Sequence, residues 1–542
     1  MTATALSAAG RAETLARLTQ DTFDVLIIGG GITGAGIARD AALRGLSVAL
    51  IEADDFAVGT SSRSSKLIHG GLRYLAMGDV ALVRETALER KAVHRLAPHL
   101  AEPFWMLVPA KSRLGLLKFR TGITAYEKLG AVAEADLHRN WSGEELAYHE
   151  PKLDQRLHPH VCAYREYLTD DARLVLATLR AAVGAGAVIV SRMEAVALLR
   201  DEECEDGKVV GVRGRCSLDG SEPEIRARVV VNAAGPWADR VAALEAARAD
   251  SRLHLSKGVH IVLPASRLPV RNLVVMTAED KRSIFAIPRG DTVYLGTTDT
   301  TYEGDDWRWP GIDAEDVRYL LEPVSRYFDV PDLTADDVTA AWAGLRPLVA
   351  EPGKEAKEMS RKDEIWIGPG GMVTIAGGKL TGFRKMAEEV MVKVGEQLGS
   401  SLPPPPELEP LPGGDFAGDL EHLAKTLPGM GNLGRDCAAR LVRLYGSEAT
   451  DVLAVGAEPL VTNGEVLLGE VDWAVNVEAA HSLEDLIYRR TRAAWYSPAE
   501  REAVLAPAAT RMATLLGWDA AEKGRQIDAV RQRYRQEMSF QR

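Results

Sequence analysis

DVLIIGGGITGAGIARDAALRGLSVALIE, Asp24 to Glu52, is the stretch that decides the fold. Its opening DVLII is a short continuous apolar run, the pattern of a strand covered on both faces, and implies a parallel sheet. Ala35, Ala38, Ala41 and Ala42 then favour a helix with a thin surface, Gly45 supplies its stop, and LSVALIE is a second strand ending at Glu52. Gly29, Gly31 and Gly34 form G-x-G-x-x-G at the first turn. The first glycine turns the chain, the second lets a pyrophosphate approach the backbone, and the third lets helix and strand pack closely. Ile32 and Thr33 occupy the helix start, where unpaired amides and the helix dipole hold phosphate. Glu52, eighteen positions after Gly34, can accept both ribose hydroxyls and would repel a 2′-phosphate, which excludes NADP.

Composition bounds the rest. The 542 residues predict roughly three to four folding units, or two large ones, and 46% hydrophobic with 26% charged residues is an ordinary globular balance. Lys plus Arg number 65 against 77 Asp plus Glu, so the formal charge is −12 and nothing global attracts nucleic acid. Cys162, Cys204, Cys216 and Cys437 are scattered, without C-x-x-C, so neither a disulfide framework nor a metal site is expected and a reducing cytoplasm fits. No stretch reaches the roughly 20 apolar residues needed to span a bilayer. Met1 to Gln20 lacks the regions of a signal peptide and is expected to be a loosely held terminus.

Outward from the first unit, the text between about Asp79 and Leu198 turns helical, with helices expected near Val80–Leu96, Leu116–Leu129 and Ala172–Gly184. Val188 to Asn232 is strand-like and is expected to return to the nucleotide-binding sheet. HIVLP, SIFAIP and TVYLGTTD, between His260 and Asp299, alternate and predict a mainly antiparallel sheet walling a cavity. Met372 to Met391 predicts a strand, a glycine turn and a helix. SSLPPPPELEPLPGG, Ser400 to Gly414, has six prolines in fifteen residues and is expected to mark a boundary. The expected class is α/β: a Rossmann-like FAD-binding domain over 21–400, an interleaved antiparallel-sheet substrate domain at about 75–170 and 256–342, and a helical C-terminal domain over 401–542.

FAD and NAD share the glycine fingerprint, and GTSSRSSKLIHGGLRYL, Gly59 to Leu75, separates them. It sets five hydroxyl side chains soon after Glu52, together with His69, a Gly-Gly pair, Arg73 and Tyr74, an economical lining for a buried flavin and its substrate. That segment, NAAGPWAD at 232–239, KGVHIVLP at 257–264, GTTDTTYEGD at 296–305, GLRPL at 344–348 and GGKLTGFRK at 377–385 stand in the order found in the FAD-dependent glycerol-3-phosphate dehydrogenases, and the chain resembles that family from about Asp24 to Lys385. LEDLIYRRTRAAWYS at 483–497 and LGWD at 516–519 resemble its helical closing domain.

The resemblance implies oxidation of sn-glycerol 3-phosphate to dihydroxyacetone phosphate, with FAD taking hydride and passing electrons to a membrane quinone. It implies cofactor contacts at the fingerprint, at Thr60, Ser61, Ser62, Ser65, Lys66 and Leu67, at Val196, at Ala234 and Gly235, and at Gly378, Lys379, Leu380 and Thr381. Hydride departure requires a base near the reacting hydroxyl, and histidine suits by its near-neutral pKa. His69 is the first candidate and His260 the second, with Lys257 assisting near the flavin. Arg73 with Tyr74, Arg346, Arg361 and Lys379 match family positions of the substrate pocket, and Thr381 adds a hydroxyl. Arg346 would also stabilise the developing alkoxide. Asp299 is expected to accept hydrogen bonds from neighbouring backbone or to cap a turn. KSRLGLLKFRTG, Lys111 to Gly122, alternates basic and apolar residues; with the family's peripheral membrane character, it predicts association with the inner face of the cell membrane. Oligomeric state is open, a homo-oligomer included. So are an oxygen-using glycerol-3-phosphate oxidase and a flavin amine or amino-acid oxidase on the same fold.

Overall fold

In the computed structural model, which describes residues 5–70, 80–201, 207–246, 251–350, 363–404 and 407–541, the opening unit is strand Thr22–Ile28, helix Ile32–Leu43 and strand Val48–Ile51. Its strands lie at the centre of an eight-stranded sheet. Parallel strands run in the order Val373–Ala376, Glu224–Asn232, Thr22–Ile28, Val48–Ile51 and Val188–Val190, and Glu364–Ile367 joins one edge antiparallel. Ile28 is in register with both Asn232 and Ile51, so the turns after Ile28 and Asn232 open side by side at the carboxyl edge, where open α/β sheets bind ligands. The hairpin Met193–Arg200 and Val209–Cys216 extends the sheet, which therefore receives the 188–232 segment as expected. Helices Asp171–Gly184 and Phe383–Leu398 pack on Ile32–Leu43.

A second sheet of ten strands draws on residues 67 to 349. Leu253–Pro264 lies between Thr292–Gly296 and Ala340–Val349, both antiparallel to it, and the order continues through Ser283–Arg289, Leu273–Thr277, Glu102–Ala110, His160–Leu168 and Leu67–Ile68. Glu102–Ala110 and His160–Leu168 stand in text that reads as helical. The first carries Pro103 and Pro109, and the second carries Arg165 and Glu166 and is buried on both faces, so neither shows clean alternation. Glu166 is tolerated inside because Arg90 donates to it at 2.8 Å.

After Ala376 the described residues form helices and loops, with isolated bridges at Pro459–Leu467 and Leu6–Glu478 but no named strand. This C-terminal region shares one hydrophobic core with the second sheet, through Tyr294 and Trp342 against Tyr488, Trp495 and Leu505. A buried ionic layer joins it to the first sheet. Arg489 and Arg490 both meet Asp55, and Arg489 also meets Asp485 at 2.7 Å. Arg492 meets Asp170 at 3.2 Å and Asp171 at 2.6 Å. The N-terminal stretch is a docked element, not the expected loose end. Arg11–Gln20 is a helix, the Leu6 amide donates to the Val477 carbonyl at 2.9 Å, and Leu6 and Leu18 are buried because each finds an apolar partner surface.

Candidate active site

Backbone forms the floor of the site. A Cβ on Gly29, which has φ +115°, would lie 2.6 Å from the Ala233 carbonyl oxygen, and one on Gly34 would lie 1.9 Å from the Gly29 carbonyl oxygen. Only hydrogen fits at either position. Gly34 thus seats the helix on the strand and does not line the cavity, whereas Gly29, Gly31, Ile32 and Thr33 do. The Ile32 amide donates to Ser61 Oγ at 3.0 Å, which brings the hydroxyl-rich segment over the helix N-terminus. Glu52 accepts from the Gly30 amide at 2.7 Å and the Asp54 amide at 2.9 Å. Burial pushes its carboxyl up to about 7, against the pull of the Gly30 amide.

The cavity above this floor encloses about 1080 Å³, at the upper limit of the roughly 300–1,000 Å³ usual for small-molecule sites. It extends from Glu52 and Val196, past Thr60, Ser61, Ala234 and Gly235, to Ser65, Leu67, His69, Arg346 and the turn Gly377–Thr381, with Gly378, Lys379 and Leu380 on its wall. Thr381 also lines it, with its hydroxyl donating to the His69 carbonyl at 3.3 Å. Two expected cofactor contacts turn away. Ser62 is buried with its hydroxyl toward the Gly59 carbonyl, and the Lys66 ammonium reaches Asp171 at 3.0 Å and the Ser62 carbonyl at 2.8 Å. A buried ammonium takes a carboxylate in preference to an apolar cavity wall.

Arg346 faces the cavity from Ala340–Val349, opposite Ser256, with Gly344 opposite Gly258. The bare Gly258 backbone lets the guanidinium lie against the neighbouring strand: a Cβ there would fall 2.3 Å from Arg346 Nη2. Nη2 donates to Thr297 Oγ1 at 2.8 Å, and Nη1 to the Thr298 carbonyl at 3.2 Å and Asp299 Oδ1 at 3.3 Å. Asp299 also accepts from Ser256 Oγ, and so helps to hold Arg346.

Strand alternation separates the other two candidates on Leu253–Pro264. Ser256, Gly258 and His260 share the cavity-side face. Lys257 points to the opposite side, where its ammonium meets Asp316 at 2.6 Å and Asp313 at 3.4 Å, and this corrects its placement near the flavin. His260 is 1% exposed and lies one layer behind the wall. Its ring stacks on Trp342 with centroids 4.9 Å apart, and Nε2 is 2.9 Å from the hydroxyl of Ser65, which does line the cavity. Burial, with the charges of Lys66 and Arg346, holds the imidazole well below its ordinary pKa. His69 lines the cavity directly. Arg73, Tyr74 and Arg361 lie outside the described residues.

The structure adds residues that were not singled out as site candidates. Asp305, Asp306, Trp307 and Arg308 reach the cavity from the loop after Thr301, held by an ion pair of Arg308 with Asp54 and by Arg240, whose guanidinium lies 3.6 Å from the centre of the Trp307 ring. Asp171, in DDARL, binds Ser64 and Lys66 of the flavin-lining segment. The available signal was two adjacent carboxylates opening a largely apolar helix.

These residues fit FAD. The glycine floor leaves room that any side chain would fill, a helix N-terminus whose N-cap residue, Gly31, has no side chain meets the cavity, and the Glu52 carboxylate lies on its wall. The family model described as FAD dependent oxidoreductase matches residues 24–384, and that of the C-terminal domain of alpha-glycerophosphate oxidase matches 407–523. An aerobic glycerol-3-phosphate dehydrogenase of Staphylococcus haemolyticus is 37% identical over 536 residues, covering 96% of this chain and 95% of that protein. One from Staphylococcus aureus is 38% identical over 504 residues, 90% of each. The crystal structure of the glycerol-3-phosphate dehydrogenase from Bacillus halodurans complexed with FAD is 34% identical and superposes with a TM-score of 0.80, covering 98% of this chain and 99% of that one. By fold, by cofactor cradle and by likeness along nearly its whole length, the chain belongs to the family of FAD-dependent glycerol-3-phosphate dehydrogenases.

Proposed function

We propose that the chain oxidises sn-glycerol 3-phosphate to dihydroxyacetone phosphate and passes the electrons to a membrane quinone. The observation that carries this reading is that Arg346 and Lys379 both line the cavity that Glu52 also lines, in a protein of net charge −12. A phosphate dianion needs such a local cation pair, and a phosphate-free amine or amino acid does not. Bound FAD supplies the hydride acceptor. Arg346, fixed by Thr297, Thr298 and Asp299, stabilises negative charge on the substrate oxygen as its proton leaves. Ser65 relays that proton to His260 Nε2, which stands at hydrogen-bond distance, against the burial and the Lys66 and Arg346 charges that oppose its protonation. His69, on the wall itself, is the second proton acceptor to test.

The deciding experiment is anaerobic stopped-flow of the yellow protein. Bleaching by glycerol 3-phosphate, with no bleaching by glycine or sarcosine, supports the reading, and the reverse pattern replaces it with an amine or amino-acid oxidase. A soluble quinone analogue should reoxidise the flavin faster than oxygen does. Rapid peroxide release would move the assignment to the oxygen-using oxidases.

We also propose peripheral contact with the inner face of the cell membrane through helix Arg113–Leu129. Leu114, Leu117 and Phe119 stand 77%, 55% and 37% exposed among exposed Lys111, Arg113, Lys118 and Arg120, a pairing suited to an anionic interface. Among the described residues no helix is long and apolar enough to cross a membrane. Co-sedimentation with anionic vesicles, lost in Leu114→Glu/Leu117→Glu, is the expected result.

A further inference from the structure

Asp171 sits at the start of helix Asp171–Gly184, fully buried, where three parts of the chain meet. Its Oδ2 accepts from the Ser64 amide at 3.1 Å and the Ser64 hydroxyl at 2.7 Å. Lys66 Nζ lies 3.0 Å from Oδ1 and 3.1 Å from Oδ2, and Arg492 Nη2 donates to Oδ1 at 2.6 Å. The residue between those two anchored neighbours is Ser65, whose hydroxyl stands 2.9 Å from His260 Nε2. Pinning Ser64 by amide and hydroxyl, and Lys66 by its ammonium, leaves the intervening residue little freedom. A side chain loses the rotamers and backbone states that its anchored neighbours exclude. Arg492 is itself buried and bridges Asp171, Asp170 and the Ser62 carbonyl, so the C-terminal region braces the same short segment from behind. The Lys66 ammonium completes the arrangement, 4.8 Å from the centre of the Trp342 ring on which His260 stacks.

We propose that Asp171 is a positioning residue of the reaction centre: through Ser64 and Lys66 it fixes Ser65 against His260, and Arg492 is the means by which the C-terminal region holds Asp171 there. It does not line the cavity. Ser65 held at one distance from the imidazole gives a short, fixed proton route, and a small displacement of a reacting group costs rate out of proportion to its size. The inference rests on the proton route proposed above, and its test separates the two.

In Ser64→Ala and Asp171→Asn the holoenzyme should keep FAD. The rate of flavin reduction by glycerol 3-phosphate, per bound flavin, should fall at least about tenfold, or about 1.4 kcal/mol of barrier. The half-saturating substrate concentration should stay within about twofold, because Arg346 and Lys379 are untouched. Ser64→Thr, which keeps the hydroxyl, should recover most of the rate. In 15N-histidine-labelled holoenzyme the His260 Nε2 resonance should move toward that of a free imidazole in Ser64→Ala and return in Ser64→Thr. An unmoved His260 signal in Ser64→Ala overturns the proposal, and so does a per-flavin rate within twofold of the parent or a loss that appears wholly in half-saturation. If Asp171→Asn does not fold, the Ser64 pair decides. If the parent enzyme is not bleached by glycerol 3-phosphate, the substrate reading fails and the nitrogen resonances alone decide the positioning.

Discussion

Around Glu52 the cavity is lined mainly by backbone and one carboxylate, most of it from the stretch between Gly29 and Ser61, whose amides and side chains also bond one another. Around Arg346 the recognising groups are side chains delivered by the 59–69 segment, two neighbouring strands, the 297–299 turn and the turn before helix Phe383–Leu398. The cofactor end tolerates little change of shape, because its partners cannot move. The reacting end tolerates changes of side chain at the expense of chemistry. Substitutions at the two ends should therefore fail in different ways.

Gly34→Ala should give the largest effect, since a methyl group 1.9 Å from a carbonyl oxygen has to force strand and helix apart. More than about 4 kcal/mol of stability should be lost, the range of severe core disruption, with little flavin retained. Thermal melting and the flavin-to-protein absorbance ratio measure both. Arg346→Ala should break only the reacting end. Flavin content should be normal, while reduction by glycerol 3-phosphate slows by about 10²- to 10³-fold, the scale for losing one donor to a developing oxyanion. Normal reduction would remove Arg346 from the reaction.

Acidity sharpens the contrast at the cofactor end. The Glu52 carboxyl is raised from 4.5 to about 7 in the folded protein, so between those values the native apoprotein holds a proton that the unfolded chain has released. Its contribution to apoprotein stability should therefore be full below about 4.5 and decline as pH rises through 7. Ribose hydroxyls prefer the ionised form, so FAD affinity should run the opposite way, falling by up to about tenfold per pH unit below that value. Titration of apoprotein with FAD across pH 5.5 to 8.5 measures it, and Glu52→Gln should flatten the dependence. Lys257→Met should have the smallest effect on chemistry. Reduction should stay within about twofold of the parent, while loss of the partner of buried Asp316 should lower stability by about 1–3 kcal/mol, read by denaturant unfolding.

The same contrast explains what could be read in advance. Gly29, Gly31, Gly34 and Glu52 act through local spacing, and one strand–helix–strand unit brings them together. Arg346 and Lys379 were legible by family motif, although the partners of Arg346 at Thr297, Thr298 and Asp299 were not, because they depend on how separate strands are laid side by side. Lys257 was misplaced because a strand turns successive residues to opposite faces, and the motif does not say which face meets the cavity. Ser62 and Lys66 have hydroxyl and ammonium groups suited to a cofactor, yet their neighbours inside the protein claim them. The bond between Asp171 and Arg492 spans 321 positions, and no local pattern announces a contact of that reach.

The buried ionic layer has a consequence for biogenesis. Asp55, Asp170 and Asp171 are committed to the interior near the cofactor cleft, yet cations that neutralise them come from Arg489, Arg490 and Arg492. A nascent chain that has emerged only as far as the proline run holds Asp55 without Arg489 and Arg490, and leaves Asp171 to Lys66 and Asp170 to Arg289 alone, so its nucleotide half should be less stable than in the finished protein. Excising the part beyond the proline run should therefore leave a destabilised fragment in place of a minimal flavoprotein.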